Sequence, residues 1–152
     1  MISFEIPGRG TVTVDHVIFD FNGTLAEDGA MAAETASLAA DLSARVHVMA
    51  ATADTFGTAA QVLAAAGIPV AIVKNAQDKE RLVQSLAGGV AAVGNGANDV
   101  RMFQASALSV CVLGPEGAAV SALMAADIVV PSIKRAIELF TKPARVTATL
   151  RE

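Results

Sequence analysis

The 152-residue sequence has no tryptophan, no tyrosine, one cysteine and two histidines. The lone Cys111 excludes an internal disulfide and any cysteine-based zinc site, and its place in the apolar run ALSVCVL marks it as a small buried hydrophobe. His16 and His47 each sit in a strand-like run with no second histidine at ligand spacing, so packing rather than metal binding is expected of both. Apolar stretches such as Ala64 to Val73, which includes Gly67 and Pro69, fall far short of a membrane span. The opening MISFEIPGRG lacks the basic segment, apolar core and cleavage site of a signal peptide, so a cytoplasmic location is expected, with no membrane partner. The net charge of −4 has no basic counter-patch, and FNGTL holds the only aromatic beside a polar motif. Both facts argue against a nucleic-acid partner.

What remains is an apolar, alanine-rich chain, 53% hydrophobic and 17% charged. That length supports one domain with a real core, and no repeat, linker or composition break divides it. MISFEI and GTVTV flank Pro7-Gly8-Arg9-Gly10 and read as a hairpin arm over 1–14, its second arm running on into HVIFDF. Helices are expected over 31–43, 55–66 (Phe56, Ala59, Leu63 and Ala66 on one face), 77–86, 98–106 and 116–125. A last helix starts near Pro131. Between them lie the apolar strands VHVMAA, PVAIV, VAAVG, LSVCVL and DIVV. The basic, threonine-rich tail 143–152 is expected to be loosely held.

Apolar strands alternating with helices imply a mainly parallel sheet covered on both faces, a three-layer Rossmann-like fold. In such sheets chemistry gathers at the carboxyl ends of the strands. The first long strand ends in Asp20, the next in Thr52-Ala53-Asp54, and VAAVG ends in Gly94-Asn95-Gly96-Ala97-Asn98-Asp99. Lys79 falls in the first turn of a helix, where the macrodipole favours acids instead. Each feature has a plain structural explanation: Asn22-Gly23 as a turn, Thr52 or Asp54 as a helix cap, Lys79 as a surface lysine. Together and in order they suit a phosphate and a divalent cation.

Four of these stretches resemble the motifs of the haloacid dehalogenase (HAD) superfamily of phosphohydrolases. VIFDFNGTL resembles its D-x-D-G-T strand end, and VHVMAATAD its second strand ending in Thr or Ser. Lys79 in DKERLVQSL matches the third motif, and VAAVGNGANDVRM resembles G-D-G-x-N-D. Within the superfamily the chain is most similar to the phosphorylation domain of P-type ATPases and their small soluble relatives. Only about ten residues separate Leu25 from the next helix, so the resemblance is to members without a cap domain. An open site and an apolar composition are compatible with a second copy as a partner.

The resemblance implies that Asp20 is the nucleophile of an aspartyl-phosphate mechanism. Gly23, Thr52, Ala53 and Lys79 would bind the phosphoryl group, and magnesium would be held by Asp20, the Asn22 carbonyl and Asn95, with Asp99 reaching it directly or through water. The substrate would be a phosphorylated small molecule or a phosphoprotein. Asn22 stands where family phosphatases carry their acid, and an amide can neither protonate a leaving oxygen nor activate water. Good leaving groups should therefore be favoured. Asn95 for aspartate should weaken magnesium binding. The alternative is a weakly active or inactive phosphate-binding module that acts through a protein partner. Asn22 and Asn95 both precede glycine, a context that favours deamidation to an acid.

Overall fold

A computed structural model of the chain describes residues 1–54 and 57–152. Strands β1 (Ile2–Ile6) and β2 (Gly10–Val14) form an antiparallel hairpin, with Phe4 opposite Val12. β2 does not run on into the next strand as expected. Asp15 separates it from β3 (His16–Asp20), which enters a different sheet. That sheet continues with β4 (His47–Thr52), β5 (Val70–Ile72), β6 (Val90–Gly94), β7 (Leu108–Val112) and β8 (Ile128–Val130). Its order is β5-β4-β3-β6-β7-β8, with every pairing parallel.

The helices are α1 (Ala33–Ser43), α2 (Thr58–Ala65), α3 (Ala76–Ser85), α4 (Val100–Ala105), α5 (Val120–Ala125), α6 (Ile133–Thr141) and α7 (Ala144–Leu150). Their termini fall within a few residues of the sequence expectation. The exceptions are α5, which starts four residues late, and Phe56, which lies outside the described residues. Ser132 rather than Pro131 begins α6, its hydroxyl accepting from the Arg135 N–H at 3.2 Å.

Strand periodicity assigns each side chain to a layer. Val17 and Phe19 of β3, Ala91 and Val93 of β6, and Leu108 and Val110 of β7 join the core under α1, α2 and α6. The alternating residues Ile18, Ala92 and Cys111 join the opposite core under α3, α4 and α5, which confirms Cys111 as a buried hydrophobe. The hairpin is not a free arm, because Ile2, Phe4 and Ile6 are buried in the first core and Phe4 meets Phe140 edge to face at 6.5 Å. The tail is not loose either. It forms α7, which buries Val146, and the Glu152 N–H donates to the Pro7 carbonyl at 3.1 Å. His16 and His47, opposite one another in the β3–β4 register, stack with ring centroids 5.0 Å apart at the amino-terminal edge of the sheet. Among the described residues no helix is long and apolar enough to cross a membrane.

The chain leaves β3 outward through β4 and β5, then returns to place β6 on the other side of β3. This reversal is the switch point of an open parallel sheet, where strand ends splay and ligands bind. Asp20 and Gly94 end the two strands that flank it.

Candidate active site

Three charged side chains converge beneath this crevice. The Lys79 ammonium donates to Asp20 Oδ1 at 2.7 Å and to Asp99 Oδ1 at 2.6 Å. All three residues are buried, with 2% of Lys79, 7% of Asp20 and none of Asp99 exposed. Burial favours the neutral form of each group, and the mutual attraction opposes this. For Asp20 the loss of water dominates. Burial, and then the nearby Asp99 carboxylate, raise its pKa to about 6 despite the lowering by Lys79. For Lys79 burial pulls the other way, but Asp20 and Asp99 outweigh it and hold the ammonium above its ordinary range. Two carboxylates thus share one cation, leaving the cluster a charge short.

The same cluster explains Lys79 at the start of α3. The amino end of that helix is capped by Asn75, whose Oδ1 accepts from the Asp78 N–H at 2.9 Å. The lysine points inward to the carboxylates, whose attraction overrides the macrodipole. On β4, Thr52 is buried and its Oγ1 accepts from the Asp54 N–H at 3.2 Å. Asp54 has φ of 42° and turns its carboxylate onto α2, accepting from the Ala59 and Ala60 N–H groups at 2.8 and 2.9 Å. Asp54 is therefore a helix cap, and Thr52 is left at the cleft.

A cleft of about 320 Å³ opens above the cluster, lined by Asp20, Asn22, Thr52, Ala53, Lys79 and Asn95 among others. These six all follow from the sequence. Gly23 and Asp99 do not line it. Gly23 has φ of 76°, and a Cβ there would collide with the Asn95 side chain, so glycine lets the β3 loop close onto the β6 loop. Asp99, which the resemblance puts among the metal ligands, lies behind Lys79. Its Oδ1 meets the ammonium, and its Oδ2 accepts from the Asn95 and Gly96 N–H groups at 3.0 and 2.9 Å. With both oxygens engaged and no exposed surface, it positions Lys79 and the 95–96 turn. Lys74, Asn75, Gly96 and Asn98 also line the cleft, at the rim the sequence points to, though the sequence assigns none of them a role.

Asn95 is locked as well. Its Nδ2 donates to the Gly117 carbonyl at 3.0 Å and its Oδ1 accepts from Thr24 Oγ1 at 3.3 Å. Deamidation at an Asn-Gly pair needs the glycine nitrogen to attack the side-chain carbonyl. The Gly23 N–H is held by the Ala26 carbonyl at 2.9 Å, and the Gly96 N–H by Asp99. Both nucleophiles are engaged, which opposes the conversion expected from sequence.

A divalent cation has a limited donor set here. Among the described residues no group of three or more His, Cys, Asp or Glu side chains could hold a metal. Of the ligands the resemblance names, Asp20, Asn22 and Asn95 line the cleft and offer a carboxylate, a main-chain carbonyl and an amide oxygen. They are hard donors carrying one carboxylate charge, which fits a magnesium-type ion that keeps most of its water and binds weakly. The charge deficit of the buried cluster favours such a cation.

No family model matches the sequence. An uncharacterized protein of Methanocaldococcus jannaschii is 38% identical over 63 residues, spanning 41% of this chain and 68% of that protein. The fold is similar to that of 3-deoxy-D-manno-octulosonate 8-phosphate phosphatase from Moraxella catarrhalis, in a structure with magnesium, phosphate and KDO. The TM-score is 0.72 at 14% identity, over 89% of this chain and 90% of that one. The cobalt-bound Haemophilus influenzae phosphatase gives a TM-score of 0.71 at 14% identity, over 91% and 94% of the two chains. A zinc-transporting P-type ATPase in its E2·Pi state is similar at a TM-score of 0.67 and 25% identity. That match covers 78% of this chain but only 20% of the pump. By sequence the chain belongs to one family with the Methanocaldococcus protein, and its fold is that of the haloacid dehalogenase hydrolases.

Proposed function

We propose that the protein is a phosphohydrolase that transfers a phosphoryl group to Asp20 and then to water. The observation that carries this reading is the convergence of Asp20, Thr52 and Lys79 on one cleft at the switch point of the sheet. The phosphatases and the pump of similar fold support it. An Asp20 oxygen attacks phosphorus, the bond to the leaving oxygen breaks, and the electron pair departs with that oxygen. Water then attacks the same phosphorus, the bond to Asp20 breaks, its carboxylate is restored, and the water's proton passes to solvent as phosphate leaves. Thr52 and Lys79 hold the phosphoryl oxygens, and Lys79 offsets the charge that builds on them. Asp99 keeps the ammonium aimed at Asp20. Magnesium, held by Asp20, the Asn22 carbonyl and Asn95, would supply electrostatic stabilisation of the phosphoryl oxygens.

Asn22 is exposed at the mouth of the cleft and has no proton to give the leaving oxygen. The preferred substrates are therefore phosphorylated molecules whose leaving group departs without an acid, such as acyl phosphates. Loss of general acid catalysis costs roughly 10²–10⁴-fold, and it falls on alkyl esters. The test is a comparison of acetyl phosphate with an alkyl phosphate in the presence of magnesium. Read as the rate of Asp20 phosphorylation, the step that precedes the water attack common to both substrates, acetyl phosphate should react at least about 100-fold faster. Equal rates on the two substrates would overturn the proposed preference.

A further inference from the structure

All four asparagines of the chain, Asn22, Asn75, Asn95 and Asn98, line the one cleft. Among the described residues, its charged lining side chains are Asp20, Lys79 and Lys74. The Lys79 charge is already matched by two carboxylates at 2.7 and 2.6 Å. Lys74 differs, being exposed and in no ion pair among the described residues. The cleft thus has an acid-poor, amide-rich wall and one unmatched cation at its mouth.

The backbone that carries Lys74 is held at three points. The Val73 N–H donates to the Thr52 carbonyl at 3.0 Å, which ties this loop to the phosphate-binding strand end. The Lys74 N–H donates to Asp78 Oδ2 at 3.0 Å, and the Asp78 N–H donates to Asn75 Oδ1 at 2.9 Å. These bonds at the start of α3 fix where the lysine leaves the chain, while its side chain lines the cleft from the rim. Lys79 serves the phosphoryl position below, so Lys74 is placed for charge beyond it.

Resting on the phosphohydrolase reading above, we propose that Lys74 determines specificity by pairing with a second anionic group on the leaving part of the substrate. That group is a carboxylate or a second phosphate. The chemistry agrees with Asn22, because a leaving group that departs unprotonated carries growing negative charge. A neighbouring ammonium offsets that charge without a proton transfer. An acid-lined mouth would repel such a substrate, whereas amides supply donors without charge.

Three non-hydrolysable probes separate the cases: methylphosphonate, with no second anion, phosphonoacetate, with a carboxylate, and methylenediphosphonate, with a second phosphonate. They are titrated calorimetrically into wild type, Lys74→Ala and Lys74→Arg in magnesium-free buffer. Wild type should bind one of the two dianionic probes at least about 10-fold tighter than methylphosphonate, and whichever it prefers identifies the second group. The preference should vanish in Lys74→Ala, with methylphosphonate affinity unchanged, and persist in Lys74→Arg. Equal binding of all three probes by wild type, or a preference that survives in Lys74→Ala, would overturn the inference and leave the phosphohydrolase reading standing. Failure of wild type to bind even methylphosphonate would sink the phosphate-cleft reading and this inference with it.

Discussion

The Lys79 ammonium lies 2.6 Å from an Asp99 carboxylate oxygen, and Asp99 has no exposed surface. A lysine buried against one carboxylate would form a neutral pair. Here the ammonium also meets Asp20, so among the described residues it is the only positive charge paired with these two buried acids. Removing it leaves both carboxylates desolvated and facing one another. Lys79→Ala should therefore destabilise the protein by about 3–5 kcal/mol, read from urea unfolding. Adding Asp20→Asn should recover more of that loss than the same change gains in wild type. Additivity of the two changes would show that the three groups do not act as a cluster.

The raised pKa of Asp20 gives a stability signature with a defined sign. Its folded value of about 6 exceeds the ordinary 3.8, so the folded state binds this proton more tightly than the unfolded state does. The stabilising contribution is present in full below pH 3.8 and is lost as pH rises through about 6. In metal-free protein, Asp20→Asn should raise stability at pH 8 by about 3 kcal/mol and leave it unchanged near pH 4. Thermal unfolding across that range checks it, and a variant less stable than wild type at pH 8 would contradict it.

Gly23 is where the β3 loop touches the β6 loop. With φ of 76° and Asn95 against its α-carbon, it has no room for a side chain. Gly23→Ala should cost about 1–3 kcal/mol and weaken magnesium binding by displacing Asn95. Equilibrium unfolding and a magnesium titration read the two effects. Unchanged values in both would mean that the loop adapts and that the contact has no role.

Asn22→Asp restores a titratable group at the mouth of the cleft without touching the buried cluster. The rate of Asp20 phosphorylation by alkyl phosphates should rise by about 10²–10⁴-fold, while that by acetyl phosphate changes little. A uniform change on both substrates would show that position 22 acts through charge or folding rather than as an acid.

Much of this was legible in the sequence, because the signals were local. VAAVG as β6 and the strand ends at Asp20 and Thr52 follow from apolar runs that stop at polar residues. The hidden features depend on tertiary contact. α7 has no strong helix pattern, and it exists because Val146 packs into the core and Glu152 meets the hairpin turn. Asp99 looks like a ligand in GNGAND, and only the folded turn shows its oxygens already occupied. Lys74 carries no motif of its own. The available signal was that an acid-poor site gathers every asparagine in the chain, and it needed the strand order to be seen.

The central claim is that Asp20 accepts the phosphoryl group. Its most direct test is the rate of acetyl phosphate hydrolysis with magnesium by wild type and by Asp20→Asn. Because the variant keeps its shape and gains stability at neutral pH on this account, a loss of activity cannot come from unfolding. Turnover should fall by at least about 10³-fold, which corresponds to about 4 kcal/mol of barrier. Equal rates for the two proteins would contradict the account.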